Sequence, residues 1–351
     1  MYRRVVAILL AFTIGLSLIG CSAKEPGRIY LYGENHINPD ITALELELWQ
    51  SCYHEQGMRH LFIEYSYFTA AFLNIWMQAE DDSILFDFYN DLTGTQAYTE
   101  NTLDFFRTIK ETCPETIFHG TDVGHQFDST GKRYLEYLDS NGMTDTQEYQ
   151  LASEAIEQGK RYYGEGVPDH VYRENTMAEN FIREFESLDG QSVMGIYGTA
   201  HIYPDKLNHT GECDSMGKQL VSHFGDLITS EDLCPVAQEN AQPLQVETVT
   251  IGKKEYSAEY FGSWNVSESY FGYSQVEFWR LPDAYEAFSK SSPSGTFRGS
   301  TYYPFPVEEG GAYIVQFLYP DGRKLRAYYL CDGMLYDGVL VTKEVRGNSI
   351  G

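Results

Sequence analysis

Between Gly27 and about Leu233 the chain alternates four short β-type runs with stretches whose length only helices fill, and this alternation restricts the fold more than any other feature. The runs cover residues 28–32, 60–63, 116–118 and 192–197. Apolar residues between them recur at helical spacing over 39–54, 68–79, 102–111, 132–138, 146–163 and 215–224. Strands separated by helices pair in parallel and need helical cover on both faces, so the pattern predicts an α/β fold with a mostly parallel sheet. Residues 235–243 break the pattern. They lack apolar periodicity, are bounded by Pro235 and Pro243, and read as a linker over 235–244. Beyond them, runs at 246–251, 256–261, 276–279, 312–317 and 325–330 are short and rich in β-branched and aromatic residues, and only 282–289 looks helical. A small antiparallel β domain over 245–351 is expected.

The first twenty residues belong to neither unit. Arg3 and Arg4 precede an uncharged run from Val5 to Gly20, too short to span a membrane comfortably and ordered like an export signal. It closes on Leu18-Ile19-Gly20-Cys21, which resembles the lipobox of bacterial lipoproteins. That resemblance implies cleavage after residue 20, acyl chains such as palmitate on Cys21, a short tether over 21–26 and an α/β domain over 27–234. The mature chain would sit on the extracytoplasmic face of a bacterial cell membrane, held there by lipid alone.

Charge narrows the partners. The 51 acids and 25 bases give −26, and removal of Arg3 and Arg4 leaves 23 bases against the same 51 acids, or −28. Such a body repels a phosphate backbone, and no basic stripe offsets the repulsion, so nucleic acid is excluded as a partner. With Cys21 assigned to lipid, Cys52, Cys113, Cys213, Cys234 and Cys331 remain, with no C-x-x-C pair for a zinc ribbon or a thioredoxin-like site. Cys213 and Cys234 close a short loop that an exported chain can staple.

Ligands of parallel α/β sheets bind beyond the carboxyl ends of the strands. Here those positions are strongly polar: Glu34 and His36 after the first run, Glu64 after the second, His119, Asp122 and His125 after the third, and Gly198-Thr199-Ala200-His201 after the fourth. Imidazoles and carboxylates converging this way suit two jobs. His36, Glu64 and His201 can hold a divalent ion that activates a water. Alternatively, His36 or His201 acts as a general base on a free water, oriented by Glu34 or Glu64. Either route attacks an ester, amide or similar carbonyl. The chain has no G-x-S-x-G elbow, and His54-Glu55 is followed by a histidine only at His60, the wrong spacing for H-E-x-x-H.

The segments Tyr32-Gly-Glu-Asn-His-Ile-Asn-Pro-Asp40, Phe62-Ile-Glu-Tyr65, Tyr172-Arg-Glu-Asn-Thr-Met-Ala-Glu-Asn180 and Tyr197-Gly-Thr-Ala-His201 resemble the motifs of a superfamily. It groups Tiki proteases, TraB/PrgY and GumN proteins, erythromycin esterases and ChaN haem-uptake lipoproteins. The resemblance covers about residues 27–230. It implies that His36 and His201 share a central site, with Glu34 and Glu64 as ligands or acid/base groups and Arg173 binding a carboxylate or a substrate oxygen. His119 and Asp122 are substrate-binding candidates on position alone. The implied activity is that of a lipoprotein hydrolase acting on an ester or peptide bond of a small molecule or peptide, with Mn²⁺, Co²⁺ or Zn²⁺ as the candidate metal. Two other readings stay open: a haem or iron-compound carrier like ChaN, and a TraB/PrgY-like surface protein that binds a peptide signal without turnover.

Overall fold

The structure, a computed structural model, describes residues 26–345 except 165, 240 and 337; the export signal and Cys21 lie outside the described residues. Its first half runs β1 (Ile29–Glu34), α1 (Pro39–Gln56), β2 (His60–Ser66), α2 (Tyr67–Met77), α3 (Ser83–Asp91), α4 (Glu100–Thr112) and β3 (Ile117–Asp122). A π-helical turn at Phe127–Gly131 leads into α5 (Lys132–Ser140), α6 (Gln147–Tyr163), α7 (His170–Glu186), β4 (Val193–Gly198), α8 (Thr199–Ile202), α9 (Met216–Phe224), β5 (Ile228–Asp232) and α10 (Leu233–Glu239). The five strands pair in parallel in the order β3-β2-β4-β1-β5.

The period-2 alternation of strand side chains divides the core. Leu61 and Ile63 join Trp49, Trp76 and Phe106 on one face, while Phe62 joins Phe181 and Leu220 on the other. Local chemistry sets the helix ends. The Asn38 side chain accepts from Asp40 N at 3.0 Å and Pro39 opens α1, where a missing N–H costs nothing; Gly57, at φ 72°, ends it.

The stretch read as a linker over 235–244 begins as α10, which buries Leu233 and Cys234 and packs Ala237 on the core. Pro235 sits in the first turn of that helix, where it is tolerated, so the prolines misled. The edge strand β5 was not expected at all, because Ile-Thr-Ser-Glu-Asp is polar and its burial alternates only between partial and exposed. The suggested Cys213–Cys234 staple does not form, and Cys52, Cys113 and Cys331 are free thiols as well.

The C-terminal domain is antiparallel, as expected. It comprises β6 (Gln245–Ile251), β7 (Lys254–Asn265), α11 (Glu268–Phe271), β8 (Gln275–Arg280), α12 (Tyr285–Phe288), β9 (Pro293–Gly299), β10 (Ala312–Leu318), β11 (Lys324–Leu330), β12 (Leu335–Tyr336) and β13 (Val339–Val345). The sheet runs β12-β13-β11-β10-β8-β7-β6, with β9 paired to β13. Its aromatic excess is core: Trp264, Phe278, Tyr303, Phe305 and Tyr313 are buried together.

Candidate functional site

The strands extend beyond the apolar runs and carry the polar residues with them. Glu34 is the last residue of β1, and the turn closed by Asn38 N on Asn35 O (3.0 Å) presents His36. Glu64 lies in β2 where its pairing with β3 slips register between Ile63 and Ser66, an irregularity that re-aims side chains at a strand end. Asp122 ends β3, Gly198 ends β4, and His201 follows on α8. Arg173, near the start of α7, reaches over the strand tips from one side.

Arg173 is the hub. Its Nε donates to Asp122 Oδ1 at 2.9 Å, and its Nη2 donates to Asp122 Oδ2 at 2.6 Å and Glu64 Oε1 at 2.5 Å. The other Glu64 oxygen accepts from Gly198 N at 2.5 Å. His201 stands behind them, buried, with Nδ1 on Glu174 at 2.7 Å and Nε2 at 3.6 Å from Glu64 Oε1 and 3.5 Å from Arg173 Nη1. Glu174 Oε1 accepts from Met216 N at the head of α9, so this carboxylate ties the histidine to two helices. Glu174, next to Arg173 in sequence, was not singled out there; the signal was its place in the same short helical segment.

His36 is arranged differently. Its Nδ1 meets Glu34 Oε1 at 2.5 Å, and its Nε2 has no protein partner among the described residues. That nitrogen lies beside the β4 tip, 3.5 Å from where a Cβ on Gly198 would stand, a position also 3.3 Å from Glu64 Oε2. Glycine there keeps the space between the two groups open.

The charges reinforce one another. Glu34 holds the His36 imidazolium up to about 10 against the cost of burial, with Glu64 adding to the effect. His201 is also raised, because the attraction of Glu64 and the bond to Glu174 outweigh burial. Burial opposes ionisation of Glu64, yet His201, Arg173 and His36 bring it down to about 2. Asp122 is likewise held well below the usual carboxylate range, burial being overcome by Arg173 and His125.

Glu34, His36, Glu64, Asp122, His125 and Arg173 line a cleft of about 510 Å³, with Tyr65, Tyr162, Tyr163 and Tyr270 among the surrounding side chains. Glu45 of α1 also faces it, 4% exposed, with Oε1 lacking any hydrogen-bond partner among the described residues. Burial and the nearby Glu34 charge push its carboxyl well above the usual range. The sequence carried a trace of this: Glu45 sits in register with the apolar Ile41 and Trp49 along one stripe of α1.

Of the residues expected from sequence, Glu34, His36, Glu64, Asp122, Arg173 and His201 come together, and His125 joins them through Asp122 (2.9 Å). His119 does not. It lies mid-strand, because β3 continues three residues past it, and there it stacks on Phe62 and bonds His60 at 2.9 Å and Glu184 at 3.3 Å. Asp122 binds Arg173 rather than standing free for substrate.

The donor set expected for a metal does not fit one. Of His36, Glu64 and His201, both Glu64 oxygens are already engaged, by Arg173 and by Gly198 N, and His201 Nε2 faces the Arg173 guanidinium rather than an open position. Among the described residues no group of three His, Cys, Asp or Glu side chains is disposed to hold a metal ion.

No protein-family profile matches the chain, and no curated protein matches its sequence. Solved structures similar to it include a Bacillus cereus protein at 14% identity and TM-score 0.45, covering 59% of this chain and 66% of that one. A succinoglycan biosynthesis protein matches at 13% identity and TM-score 0.42, covering 58% of this chain and 65% of that one. A mutant of the erythromycin esterase EreC in its open conformation matches at 11% identity and TM-score 0.43, covering 64% of this chain and 73% of that one. The chain thus spans about two thirds of the length of these proteins, and likeness at this level carries no activity from one to another.

Proposed function

We propose that this chain is a hydrolase that cleaves an ester or peptide bond with His36 as general base and no metal in the proton transfer. The observation that carries the reading is the His36 ring, held by Glu34 through Nδ1 and open to the cleft through Nε2. In the unprotonated ring, Nε2 takes a proton from a water as that oxygen bonds the carbonyl carbon. The carbonyl electron pair moves onto its oxygen, which Arg173 Nη1 is placed to stabilise, since Nε and Nη2 serve the carboxylates and Nη1 does not. Collapse restores the carbonyl, breaks the bond to the leaving alcohol or amine, and passes the proton from His36 to it. Glu34 stabilises the imidazolium between the two transfers.

His201 has no free nitrogen for this work. With Glu174 behind it, it fixes Glu64, which in turn orients Arg173. The reading includes export and lipid attachment at Cys21 on the outer face of a bacterial cell membrane. Among the described residues no helix is long and apolar enough to cross a membrane. Screening purified protein against ester and peptide libraries tests the reading: turnover lost in His36→Gln supports it, and turnover unchanged in that variant refutes it. Peptide bound without cleavage would instead favour a signal-binding role.

A further inference from the structure

The turn that carries His36 is anchored from outside the α/β domain. Ile37, the next residue, is 5% exposed and belongs to the apolar cluster of the β domain, with Trp264, Tyr303 and Phe305. Asn35, the residue before, donates from Nδ2 to Thr301 O at 3.2 Å. Gln238 of α10 donates to Ser300 O and Tyr303 O at 2.8 and 2.9 Å, fixing the same segment of the β domain. Across the cleft a second contact forms: Ser269 Oγ accepts from Gly94 N at 2.9 Å, and Tyr270, which lines the cleft, accepts from Gln96 Nε2 at 3.3 Å.

A side chain on a turn is aimed by whatever holds the turn. Glu34 fixes one ring nitrogen of His36, but the backbone of residues 35–37 sets where the ring starts, and both residues flanking His36 are held by the β domain. We propose that the β domain is a working part of the site, its Trp264–Tyr303–Phe305 cluster and Thr301 carbonyl setting the direction of His36 through Ile37 and Asn35. Ile37 and Asn35 are therefore positioning residues. The inference rests on the hydrolytic reading only for the use made of His36; the positioning itself is independent of turnover.

The test follows the ring of His36 by NMR of the full chain, its signal assigned by loss in His36→Gln. In Ile37→Ala the His36 ring signal should shift or broaden, Ile37→Leu should restore it, and the ring of His223, bonded to Glu186 on the outer helices, should stay in place. Asn35→Ala, which removes the bond to Thr301 O together with the longer one that Asn35 Oδ1 accepts from Ile37 N at 3.4 Å, should move the signal the same way by less and serves if Ile37→Ala does not fold. An unchanged His36 signal in both folded variants would overturn the proposal. Because the readout needs no substrate, a protein without hydrolytic activity would sink the functional reading and leave this one standing.

Discussion

Arg173 and Asp122 form a two-pronged pair, Nε on Oδ1 at 2.9 Å and Nη2 on Oδ2 at 2.6 Å, with the Asp122 side chain fully buried. The same guanidinium neutralises Glu64. Removing it leaves two buried carboxylates without their cation, which typically costs about 3–5 kcal/mol. Arg173→Ala should lower unfolding stability in urea by roughly that amount, and Arg173→Lys should recover little of it because an ammonium cannot match the planar fork.

Stability should fall at both ends of the pH scale. Glu64 has an ordinary value of 4.5 and is held near 2, so its contribution is complete above 4.5 and is lost as pH falls toward 2. His36 is raised from 6.5 to about 10, so its contribution is complete below 6.5 and is lost as pH rises through 10. The alkaline edge should be the shallower, since the His36 side chain is 38% exposed and solvent screens it. Thermal melting from pH 2 to 11 measures both edges.

The rate should respond to Glu34 through the charge state of His36. If His36 is the base, wild-type turnover climbs with pH toward the raised value near 10, as the free ring becomes populated. Glu34→Gln should move that limb down toward 6.5 and lower the plateau, a change visible in the pH–rate profile.

Glu45 predicts the reverse of an ordinary acid substitution. Burial and the Glu34 charge push its carboxyl well above 4.5 in the folded chain, while the unfolded chain ionises it around that value, so it weakens the fold at neutral pH. Glu45→Gln keeps the shape and removes that penalty. Its melting temperature should exceed wild type at pH 7 and converge with it below pH 4.5.

How legible this was depended on local against tertiary causes. Glu34, Glu64 and Asp122 were readable because a strand end is a local event that fixes where its next side chains go. Arg173 and its binding of a carboxylate were readable from a resembling motif, but that the partners are Glu64 and Asp122 was not, since α7 meets β2 and β3 only in three dimensions. His119 misled because the apolar run stops at Phe118 while the ladder continues to Asp122. The polar edge strand β5 left no alternation to read. Nor could the sequence show that Ile37, three residues beyond Glu34, packs into a core built mainly from residues 264–331.

The central claim is that His36, without a metal, takes the proton from water. The most direct measurement is turnover of a cleaved ester or peptide by chelator-treated wild type and by chelator-treated His36→Gln, with folding of both verified. The account predicts wild-type turnover undiminished by chelation and a loss of about 10²–10⁴-fold in His36→Gln, the range for removal of a general base. Wild-type turnover abolished by chelation and restored by a divalent ion, or full turnover in His36→Gln, would contradict it.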